Sequence, residues 1–365
     1  MTIAYLVYWN NTTASGVWNK IVSQLQCWHS LGHAPALFLL QRTHASPPQL
    51  GSIPIFHRTF ATQRERVIAY STLVKEILSY KPDVVYTRYD LFQPSFLRLA
   101  RALPTVVEVN TKDTAEYFHA GPLRGVYNLL TRHWIFKYAA GFVTVTNELR
   151  DWLRAQLPAD QPVQVISNGI PLGSYPVLPP HHGPRPRLVF LGTPGCSWHG
   201  LDRVCDLAVS WPEAEFHIVG PPNEALPHRP RNVVIHGPLH PTHYRTLLSQ
   251  ADVALGTLAL YRNRMQEASP LKTREYLAYG LPVVIGYVDT DFPSGAPFLF
   301  SVPNTPAPLF LYSAAIKAFC NSWKGRRVPR DLIAHIDASA KEKERLLFLS
   351  RLSTTCVTRN LVRSE

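Results

Sequence analysis

The segment EASPLKTREYLAYG, residues 267–280, carries the clearest local structure signals in the chain. Ser269 is a residue type that caps helices with its side chain, and Pro270 suits the first helical position. Gly280 can adopt the left-handed conformation that ends many helices. The segment therefore predicts a helix of about ten residues that begins after Ser269 and ends before Gly280.

Two cations, Lys272 and Arg274, lie in the first turn of this predicted helix. The helix dipole disfavours a positive charge there by about 0.3–1 kcal/mol. A bound anion would reverse the effect, because the ammonium group and the backbone N–H groups of Leu271 and Lys272 would all face it. Glu267 and Glu275 can accept hydrogen bonds from hydroxyl groups on either side. We therefore expect a phosphate-like group at the start of the helix.

The composition is that of a folded protein with an anionic partner. Of the 365 residues, 46% are hydrophobic and 17% are charged, which leaves little room for disorder. The net charge is +12, and it is evenly spread: residues 1–170 contain 16 Lys/Arg and 10 Asp/Glu, whereas residues 171–365 contain 21 and 15. This even spread argues against a nucleic-acid partner. A phosphate ligand, an anionic membrane surface and solubility alone remain as explanations of the charge.

Several features favour a cytoplasmic protein. The five cysteines are scattered, without a close pair or a zinc-like spacing, as expected for reduced thiols. The N-terminus, MTIAYLVYWN, lacks a basic region and is typical of a first strand, not of a signal peptide. The longest uncharged run, residues 292–316, contains five prolines, which excludes an ordinary membrane-spanning helix. Peripheral contact with the inner face of a membrane stays open.

Apolar runs alternate with helix-like segments along most of the chain, a pattern that predicts parallel sheets covered by helices on both faces. The predicted fold class is α/β, with two Rossmann-like doubly wound domains facing a cleft. Residues 1–170 form the predicted first domain. Residues 171–186, with six prolines, form a linker, and residues 187–330 form the second domain. Residues 331–365 are predicted to be a helical segment that packs back on the first domain.

Glycines follow the first strand of each predicted domain. Gly16 precedes the first helix of the chain, and the sequence Gly192-Thr193 opens a second loop that continues to His199. Neither loop has the G-x-G-x-x-G dinucleotide fingerprint. Each glycine alone is more often a turn residue than a ligand contact. Together with the 267–280 helix, however, both loops are expected to line the same cleft, because ligands bind beyond the carboxyl ends of parallel strands.

Glu267 and Glu275 are eight residues apart, a spacing that is also common on solvated helix faces. Here they lie on either side of the predicted anion site. The pair Glu267 and Glu275 resembles the E-x7-E motif of the retaining family 4 glycosyltransferases, which have the GT-B fold. Other segments are similar to the family in the same order, namely Ser15-Gly16 with residues 31–33, the V-I-S-N-G-I segment 165–170, and residues 191–202, 218–220 and 234–237. The similarity spans residues 1 to about 290.

The resemblance implies transfer of a sugar, typically a hexose, from a nucleotide-diphosphate donor, with retained configuration and without a metal or other cofactor. Glu267 would contact hydroxyls of the donor sugar and Glu275 the ribose. The diphosphate would bind Lys272 and the backbone of Ser269, Pro270 and Leu271. Gly16, Gly192 and Thr193 would let the two loops approach the donor. Lys272, Glu267 and His119, a cleft histidine by position, are the catalytic candidates.

The donor loop departs from the family pattern, because many members carry an Arg and a Lys where this chain has Gly-Cys-Ser-Trp-His-Gly. His199 or Arg203 could supply the second phosphate cation, although Arg203 could equally be a solvated residue on a helix. The missing pair leaves Lys272 with more of the diphosphate charge than in a typical relative, whereas Arg274 could simply be solvated.

The acceptor side is less defined. Glu108, Asn110 and Glu116 are candidate contacts, and a polysaccharide, a glycolipid or a small molecule could be the acceptor. A lipid-linked or membrane-surface acceptor would suit the aromatic and basic residues Trp9, Trp18, Trp28, Arg58, Arg64, Arg66, Tyr117 and Phe118. The alternatives are a nucleotide-sugar epimerase, a glycan phosphorylase, for which no pyridoxal-binding lysine site is identified, and a non-catalytic nucleotide-sugar-binding homologue.

Overall fold

The structure, a computed structural model, describes residues 1–9, 16–42, 49–119, 121–226 and 228–362, with the backbone alone at residues 115, 116, 119 and 355–362. Two compact units divide the chain. The first consists of residues 1–167 and 338–365, and the second of residues 168–337.

The first unit is built on a seven-stranded parallel sheet with the strand order β3-β2-β1-β4-β5-β6-β7. The strands are β1 (Thr2–Tyr8), β2 (Ala34–Arg42), β3 (Ile55–Phe60), β4 (Val84–Arg88), β5 (Thr105–Val109), β6 (Gly141–Thr144) and β7 (Val163–Val165). The helices between them are α1 (Gly16–Ser30), α2 (Gln63–Tyr80), α3 (Ser95–Ala102), α4 (Asp113–His119), α5 (Pro122–Tyr138) and α6 (Asn147–Arg154).

Both faces of this sheet are covered. In the central strand β1, Ile3 and Tyr5 belong to one buried cluster, whereas Ala4 and Leu6 belong to a second cluster on the opposite face. Burial on both faces explains the uninterrupted apolar run at the start of the sequence. The edge strand β3 has no such run, because half of its residues are polar and two of these are exposed, so the pattern of apolar runs does not predict it.

The second unit contains a six-stranded parallel sheet in the order β10-β9-β8-β11-β13-β15 and a two-stranded sheet β12-β14. The strands are β8 (Arg187–Leu191), β9 (Glu215–Val219), β10 (Val233–Ile235), β11 (Val253–Leu255), β12 (Glu267–Ala268), β13 (Val283–Ile285), β14 (Val288–Asp289) and β15 (Leu299–Ser301). The helices are α7 (Leu201–Val209), α8 (Pro241–Ser249), α9 (Leu271–Ala278) and α10 (Ser313–Trp323). The predicted α/β class with two Rossmann-like sheets is confirmed.

The proline-rich segment 171–186 differs from the predicted linker, since it lies within the second unit. The N–H of Leu178 donates to the carbonyl of Tyr279 at 3.0 Å, and the Leu178 side chain is buried. Arg327 donates to the carbonyls of Leu178 and Pro179 at 3.3 and 2.7 Å. These partners hold a backbone that lacks many N–H donors of its own, so the segment is a packed part of the unit.

The last helix, α11 (Ala338–Val362), belongs to the first unit, whereas residues 331–337 stay with the second. Glu342 on α11 accepts hydrogen bonds from Trp28 at 2.7 Å and from Gln24 at 3.3 Å, both on α1. Leu346 and Leu349 enter the buried cluster beneath α1. Across the described ranges, the structure contains no helix that is both long and apolar enough to span a membrane.

Candidate functional site

Among the described residues no side chain caps the first turn of α9, so the prediction that Ser269 caps this helix is wrong. The cap position is Pro270, with φ −73° and ψ 136°. The hydroxyl of Ser269 instead accepts the N–H of Asn168 at 2.9 Å and a guanidinium N–H of Arg274 at 3.0 Å. These two buried donors compete successfully for the oxygen that a cap would need. The N-terminus of α9 is therefore free of a side-chain acceptor, as an anion site requires.

Gly280 ends the helix as predicted, with φ +84°. A Cβ at this position would lie 2.9 Å from a methyl carbon of Val177, so both the backbone conformation and the space favour glycine.

Lys272 has no counter-ion among the described residues. Its Nζ is buried and, within the described part of the chain, makes no hydrogen bond. It lies 4.9 Å from the centre of the Phe190 ring, a cation–π contact that offers only weak compensation. Burial lowers the pKa of Lys272 to about 7. When Lys272 is protonated, the site lacks a negative charge that a bound anion would supply, and binding an anion favours the protonated form.

Arg274 has a different role, and the suggestion that it is solvated is wrong. The side chain is fully buried, and its guanidinium pairs with Asp289 at 2.8 Å and Asp291 at 2.6 Å. Its Nε donates to the carbonyl of Asn168 at 3.0 Å. Arg274 therefore ties α9 to the strand β14 and to the start of the unit, and its charge is satisfied.

Glu275 is held in place by a tyrosine. The hydroxyl of Tyr244, on α8, donates to Glu275 Oε1 at 2.7 Å. Burial raises the pKa of Glu275, and the hydrogen bond from Tyr244 opposes this shift. The alternative of a solvated helix face does not hold for this carboxylate. Glu267 is half-buried in β12, which pairs with β14 and leads directly into α9.

The loop after β8 approaches the loop after β9 closely. The N–H of Gly192 donates to the carbonyl of Val219 at 2.8 Å. Gly220 has φ +106°, and a Cβ there would lie 2.0 Å from the carbonyl oxygen of Gly192. Only glycine permits this approach. The next residue in the loop, Thr193, is exposed.

His199 does not carry a positive charge near neutral pH. Its Nδ1 accepts the N–H of Thr193 at 3.1 Å. Burial, and secondarily the charge of Lys272, lower the pKa of His199 to about 3. In the free protein the ring is therefore neutral and can offer a phosphate a hydrogen bond, but not a charge.

Arg203 is neither solvated nor free to bind a phosphate. It is buried on α7, and its guanidinium donates to the carbonyls of Thr305 at 2.6 Å and Ala307 at 2.8 Å. The guanidinium thus fixes the segment before α10. Among the predicted substitutes for the missing cations, neither Arg203 nor His199 supplies an available charge.

Three residues that support the site were not predicted as site residues. Phe190 underlies Lys272, Tyr244 orients Glu275, and Asn168 donates through Nδ2 to the carbonyl of Ser269 at 2.5 Å. Asn168 lies in the N-G-I segment, so its sequence signal was visible. Tyr244 and Phe190 lie on other elements of the unit, and no local sequence pattern marks a single Tyr or Phe as part of the site.

The structure describes only some of the residues of the first unit that were predicted for the site. Gly16 begins α1, whereas Ser15 lies outside the described residues. The side chains of His119 and Glu116, both on α4, also lie outside the described part, so their roles stay predictions. Asn110 is half-buried directly after β5.

Glu108 is a core residue, and its assignment to the acceptor side is wrong. Its side chain is fully buried, forms an ion pair with Lys20 and accepts the hydroxyl of Tyr86 at 2.7 Å. Burial alone would raise the pKa of Glu108, but Lys20 and Arg345 hold it well below its usual range. Both carboxylate oxygens are occupied inside the unit and cannot bind an acceptor.

Half of the eight aromatic and basic residues predicted for membrane contact are unavailable as well. Trp9, Trp18 and Trp28 are buried in the core of the first unit. Arg66 is buried over the ring of Tyr8, and Asp90 accepts its hydrogen bond at 2.5 Å. These side chains stabilise the unit and do not form its surface.

The comparisons agree with this architecture. Residues 14–174 match the family described as Glycosyltransferase Family 4. A glycosyltransferase from Rickettsia africae is 14% identical, with 96% of this chain and 98% of that chain covered and a TM-score of 0.66. Anabaena Alr3699/HepE, solved in complex with UDP and glucose, is 12% identical over 95% of this chain and 99% of that chain, with a TM-score of 0.63.

The lipopolysaccharide outer core galactosyltransferase WaaB is 14% identical, with 94% of this chain and 97% of that chain covered and a TM-score of 0.62. A search of curated proteins gives no match. At these identities the structural likeness concerns the fold. The predicted resemblance is confirmed: the chain is similar to the family 4 glycosyltransferases and has the GT-B type of fold with two Rossmann-like units.

Proposed function

We propose that this protein is a retaining, metal-independent glycosyltransferase that moves a hexose from a nucleotide-diphosphate donor to a glycan, lipid-linked or small-molecule acceptor. The observation that supports this most is Lys272, a buried ammonium group with no hydrogen-bond partner in the described structure, at the uncapped N-terminus of α9. A diphosphate supplies the charge that this arrangement lacks. A glycosyltransferase needs a buried cation of this kind most when the bond between the sugar and the diphosphate breaks.

The chemistry follows from the leaving group. Breaking the bond between the anomeric carbon and the phosphate oxygen develops negative charge on a diphosphate that is already anionic. A fixed cation and helix N–H groups stabilise that charge, and one lost donor of this type lowers kcat by about 10²–10³-fold. Lys272 is therefore the first catalytic candidate. The backbone of Ser269, Pro270 and Leu271 would hold the diphosphate beside it.

The two glutamates would position the rest of the donor. Glu275, oriented by Tyr244, would accept hydrogen bonds from the ribose, and Glu267 would accept them from the sugar. Gly192 and Thr193 would allow the donor loop to approach the phosphates, with neutral His199 as a hydrogen-bonding group. Gly16 would do the same from the first unit.

The departing phosphate can itself take the proton of the acceptor hydroxyl, so no protein base is required. We keep His119 as a catalytic candidate and Asn110 and Glu116 as acceptor-side candidates. The same proposal includes a cytoplasmic location and a nucleotide-sugar partner. It does not include a nucleic-acid partner. HepE was solved with UDP and glucose, which makes UDP-glucose the first donor to test. The name of WaaB makes lipopolysaccharide-type acceptors the first acceptors to test.

A donor panel tests the proposal. The protein is incubated with UDP-, GDP- and ADP-sugars, with and without extracted lipids and oligosaccharides, and nucleotide release is measured. A transferase releases nucleotide and forms a product whose anomeric configuration, read by NMR, is retained. Conversion of the sugar without nucleotide release indicates the epimerase alternative. Binding of nucleotide diphosphates without any turnover indicates the non-catalytic homologue.

Replacing Tyr244 with phenylalanine is expected to raise the KM for the donor about tenfold and to change kcat little. The variant removes one hydrogen bond to a carboxylate, a loss of about 1.5 kcal/mol at the lower end for charged partners, which corresponds to about tenfold. The matched control is Tyr279→Phe, because Tyr279 also lies near Glu275 but its hydroxyl donates no hydrogen bond to the Glu275 carboxylate in the described structure. Equal effects of the two variants would remove Tyr244 from the donor site.

A further inference from the structure

A small cavity lies at the carboxyl ends of β1 and β4 in the first unit. One side of it is formed by the apolar cluster on one face of the sheet, with Leu6, Phe96 and Val107. Tyr89 and Asp90, which directly follow β4, also line it and are partly exposed. We call this space the β4 cavity. Because ligands of parallel sheets bind beyond the carboxyl ends of the strands, its position suits a binding site.

Gln93 brings an unpartnered polar group to the β4 cavity. Its side chain lines the cavity and is only 7% exposed. Within the described ranges, its Oε1 atom is buried and accepts no hydrogen bond. A buried amide oxygen is costly to leave without a donor. This oxygen therefore points to a ligand that carries a hydroxyl or N–H group.

Tyr70, on α2, and Asp90 add further hydrogen-bonding groups. Burial, and secondarily the charge of Asp90, raise the pKa of Tyr70, so its hydroxyl keeps its proton and can donate. Asp90 accepts hydrogen bonds from Arg66 at 2.5 Å and from the N–H of Leu91 at 2.7 Å, and a longer one from Tyr117 at 3.4 Å. A carboxylate has about four acceptor sites, so Asp90 can still accept a ligand hydroxyl.

The charges around the β4 cavity favour a neutral ligand. Arg66 is paired with Asp90, so it offers no spare charge. Arg88 also lines the cavity, but side chains alternate along β4, which places the Arg88 side chain on the opposite face of the sheet with its register partner Glu108. A phosphate or carboxylate would therefore meet the Asp90 carboxylate without an available cation among the described residues.

The size of the β4 cavity limits the group that can enter. Its volume is about 30 Å³. One water-sized group needs about 10–15 Å³ on the same measure, so the cavity accommodates about two such groups. A single carbon with one hydroxyl fits this space, whereas a whole sugar ring does not.

We propose that the β4 cavity holds the exocyclic hydroxymethyl group of a neutral hexose in the acceptor. The methylene would contact the apolar walls at Leu6 and Phe96. The hydroxyl would donate to Oε1 of Gln93 and accept from Tyr70. Calling this hexose the acceptor rests on the glycosyltransferase function proposed above, and it narrows the acceptor class to glycans or glycolipids that present an uncharged hexose.

Ligand-observed NMR of the full chain tests this proposal without donor or turnover. The probes are the methyl glycosides of glucose, galactose and mannose, their 6-deoxy analogues, and the methyl glycoside of glucuronic acid. We expect at least one hexoside to bind with a dissociation constant of about 1–10 mM. Its 6-deoxy analogue should bind about three- to tenfold more weakly, because it lacks the hydroxyl. The glucuronide should bind weaker than the hexoside by about tenfold or more, because its carboxylate faces Asp90.

Gln93→Leu is the decisive variant. It removes the amide but keeps a side chain of similar size, and the melting temperature should not fall, because Oε1 has no partner among the described residues. The hexoside should bind about three- to tenfold more weakly. Its advantage over the 6-deoxy analogue should be largely lost, which a purely structural change would not produce. Tyr70→Phe, which removes only a hydroxyl, should show the same loss of preference.

Gln41→Leu is the matched control. Gln41 is also 7% exposed, and its Oε1 is likewise buried and unpartnered in the described part of the chain. It lies on β2 and does not line the β4 cavity. This variant should bind every probe like the original chain.

Any of four results would overturn the proposal: no binding of any hexoside, equal binding of a hexoside and its 6-deoxy analogue, a preference for the glucuronide, or equal effects of Gln93→Leu and Gln41→Leu. Weaker donor binding in Gln93→Leu with unchanged hexoside binding would also overturn it, because the cavity would then belong to the donor sugar.

Hexoside binding and nucleotide release are measured separately, so the two proposals fail separately. Nucleotide release without selective hexoside binding would leave the glycosyltransferase function standing and remove the β4 cavity from the acceptor site. Selective hexoside binding without nucleotide release from any donor would contradict the transferase function and leave the hexose site in place.

Discussion

Replacing Lys272 with methionine is expected to lower kcat by about 10²–10³-fold while the unliganded protein remains folded. Methionine keeps most of the length and apolar volume of the lysine and removes its charge. The stabilisation lost is that of the leaving diphosphate, for which Lys272 is the available buried cation near α9 in the described structure. The measurement is nucleotide release from the active donor under saturating conditions.

The same variant should not destabilise the unliganded protein at neutral pH. Burial holds the pKa of Lys272 at about 7, below the usual value of about 10.5 in an unfolded chain. The unfolded chain therefore binds more protons between these two values, and stability rises with pH across that window. Below pH 7 the buried ammonium group is charged and lowers the free energy of unfolding by its full amount, and this loss is the burden of the charge. Lys272→Met removes this burden, so its melting temperature should equal or exceed that of the original chain.

Lys317→Met is the matched control. Lys317 also lies over an aromatic ring of the second unit, 5.5 Å from the centre of Trp211, but its Nζ donates to the carbonyl of Ser210 at 3.3 Å. Its replacement should leave kcat within about twofold. An unchanged kcat in Lys272→Met, or a similar loss in both variants, would remove Lys272 from the mechanism.

Arg274→Met is expected to destabilise the second unit by about 3–5 kcal/mol, the largest stability effect predicted for this chain. The variant leaves the buried carboxylates of Asp289 and Asp291 without their cation, and it leaves the carbonyl of Asn168 without its donor. Urea denaturation, with the transitions of the two units fitted separately, measures the change in the free energy of unfolding.

Arg203→Met provides the comparison for Arg274→Met. Arg203 is equally buried in the same unit, but among the described residues it binds two carbonyl groups and no carboxylate. Its replacement should destabilise the unit by about 1–3 kcal/mol, because no buried charge is left unpaired. Adding Asp289→Asn and Asp291→Asn to Arg274→Met should recover part of the loss. A loss below about 1 kcal/mol in Arg274→Met would contradict the assigned role.

Local signals were sufficient for much of the fold. Alternating apolar runs predict the strands around β1 and β8, and Gly280 ends α9 where its sequence pattern places it. Ser269 shows where such signals fail. Its position suits a cap, but Asn168 lies 101 residues earlier in the sequence and takes the hydroxyl by tertiary contact. A local pattern carries no information about that competitor.

The same limit applies to the charged residues of the candidate site. Lys272 and Arg274 are two positions apart and equivalent by sequence, yet in the part of the chain that the structure describes Lys272 is unpaired and Arg274 is buried between two carboxylates. The difference depends on β14, which places Asp289 beside α9. Glu108 is similar, because its partner Lys20 lies 88 residues away on α1. Long-range ion pairs decide which charges remain available for a ligand.

Helix α5 shows a further limit. Its apolar residues would ordinarily all be assigned to the core, but only some of them lie there: Ile135 and Phe136 are buried, whereas Leu123 and Leu130 are exposed in the described structure. Asn128, which is buried, and Arg132, which is half-buried, bind Asp113 and hold the helix in this orientation. Periodicity indicates that a helix has two faces. The polar partners in the remainder of the fold determine which face is buried.

The most direct test of the role of Lys272 is the pH dependence of donor binding. Calorimetry with UDP-glucose, or with the active donor of the panel, is carried out between about pH 6 and 8.5, where both esterified phosphates keep their charge. If the diphosphate binds protonated Lys272, the dissociation constant should be nearly constant below the pKa of about 7 and rise above it, by at most tenfold per pH unit. In Lys272→Met the donor should bind more weakly, with a dissociation constant that does not change with pH. A pH-independent dissociation constant in the original chain, or the same rise in the variant, would contradict the assignment of Lys272 to the diphosphate.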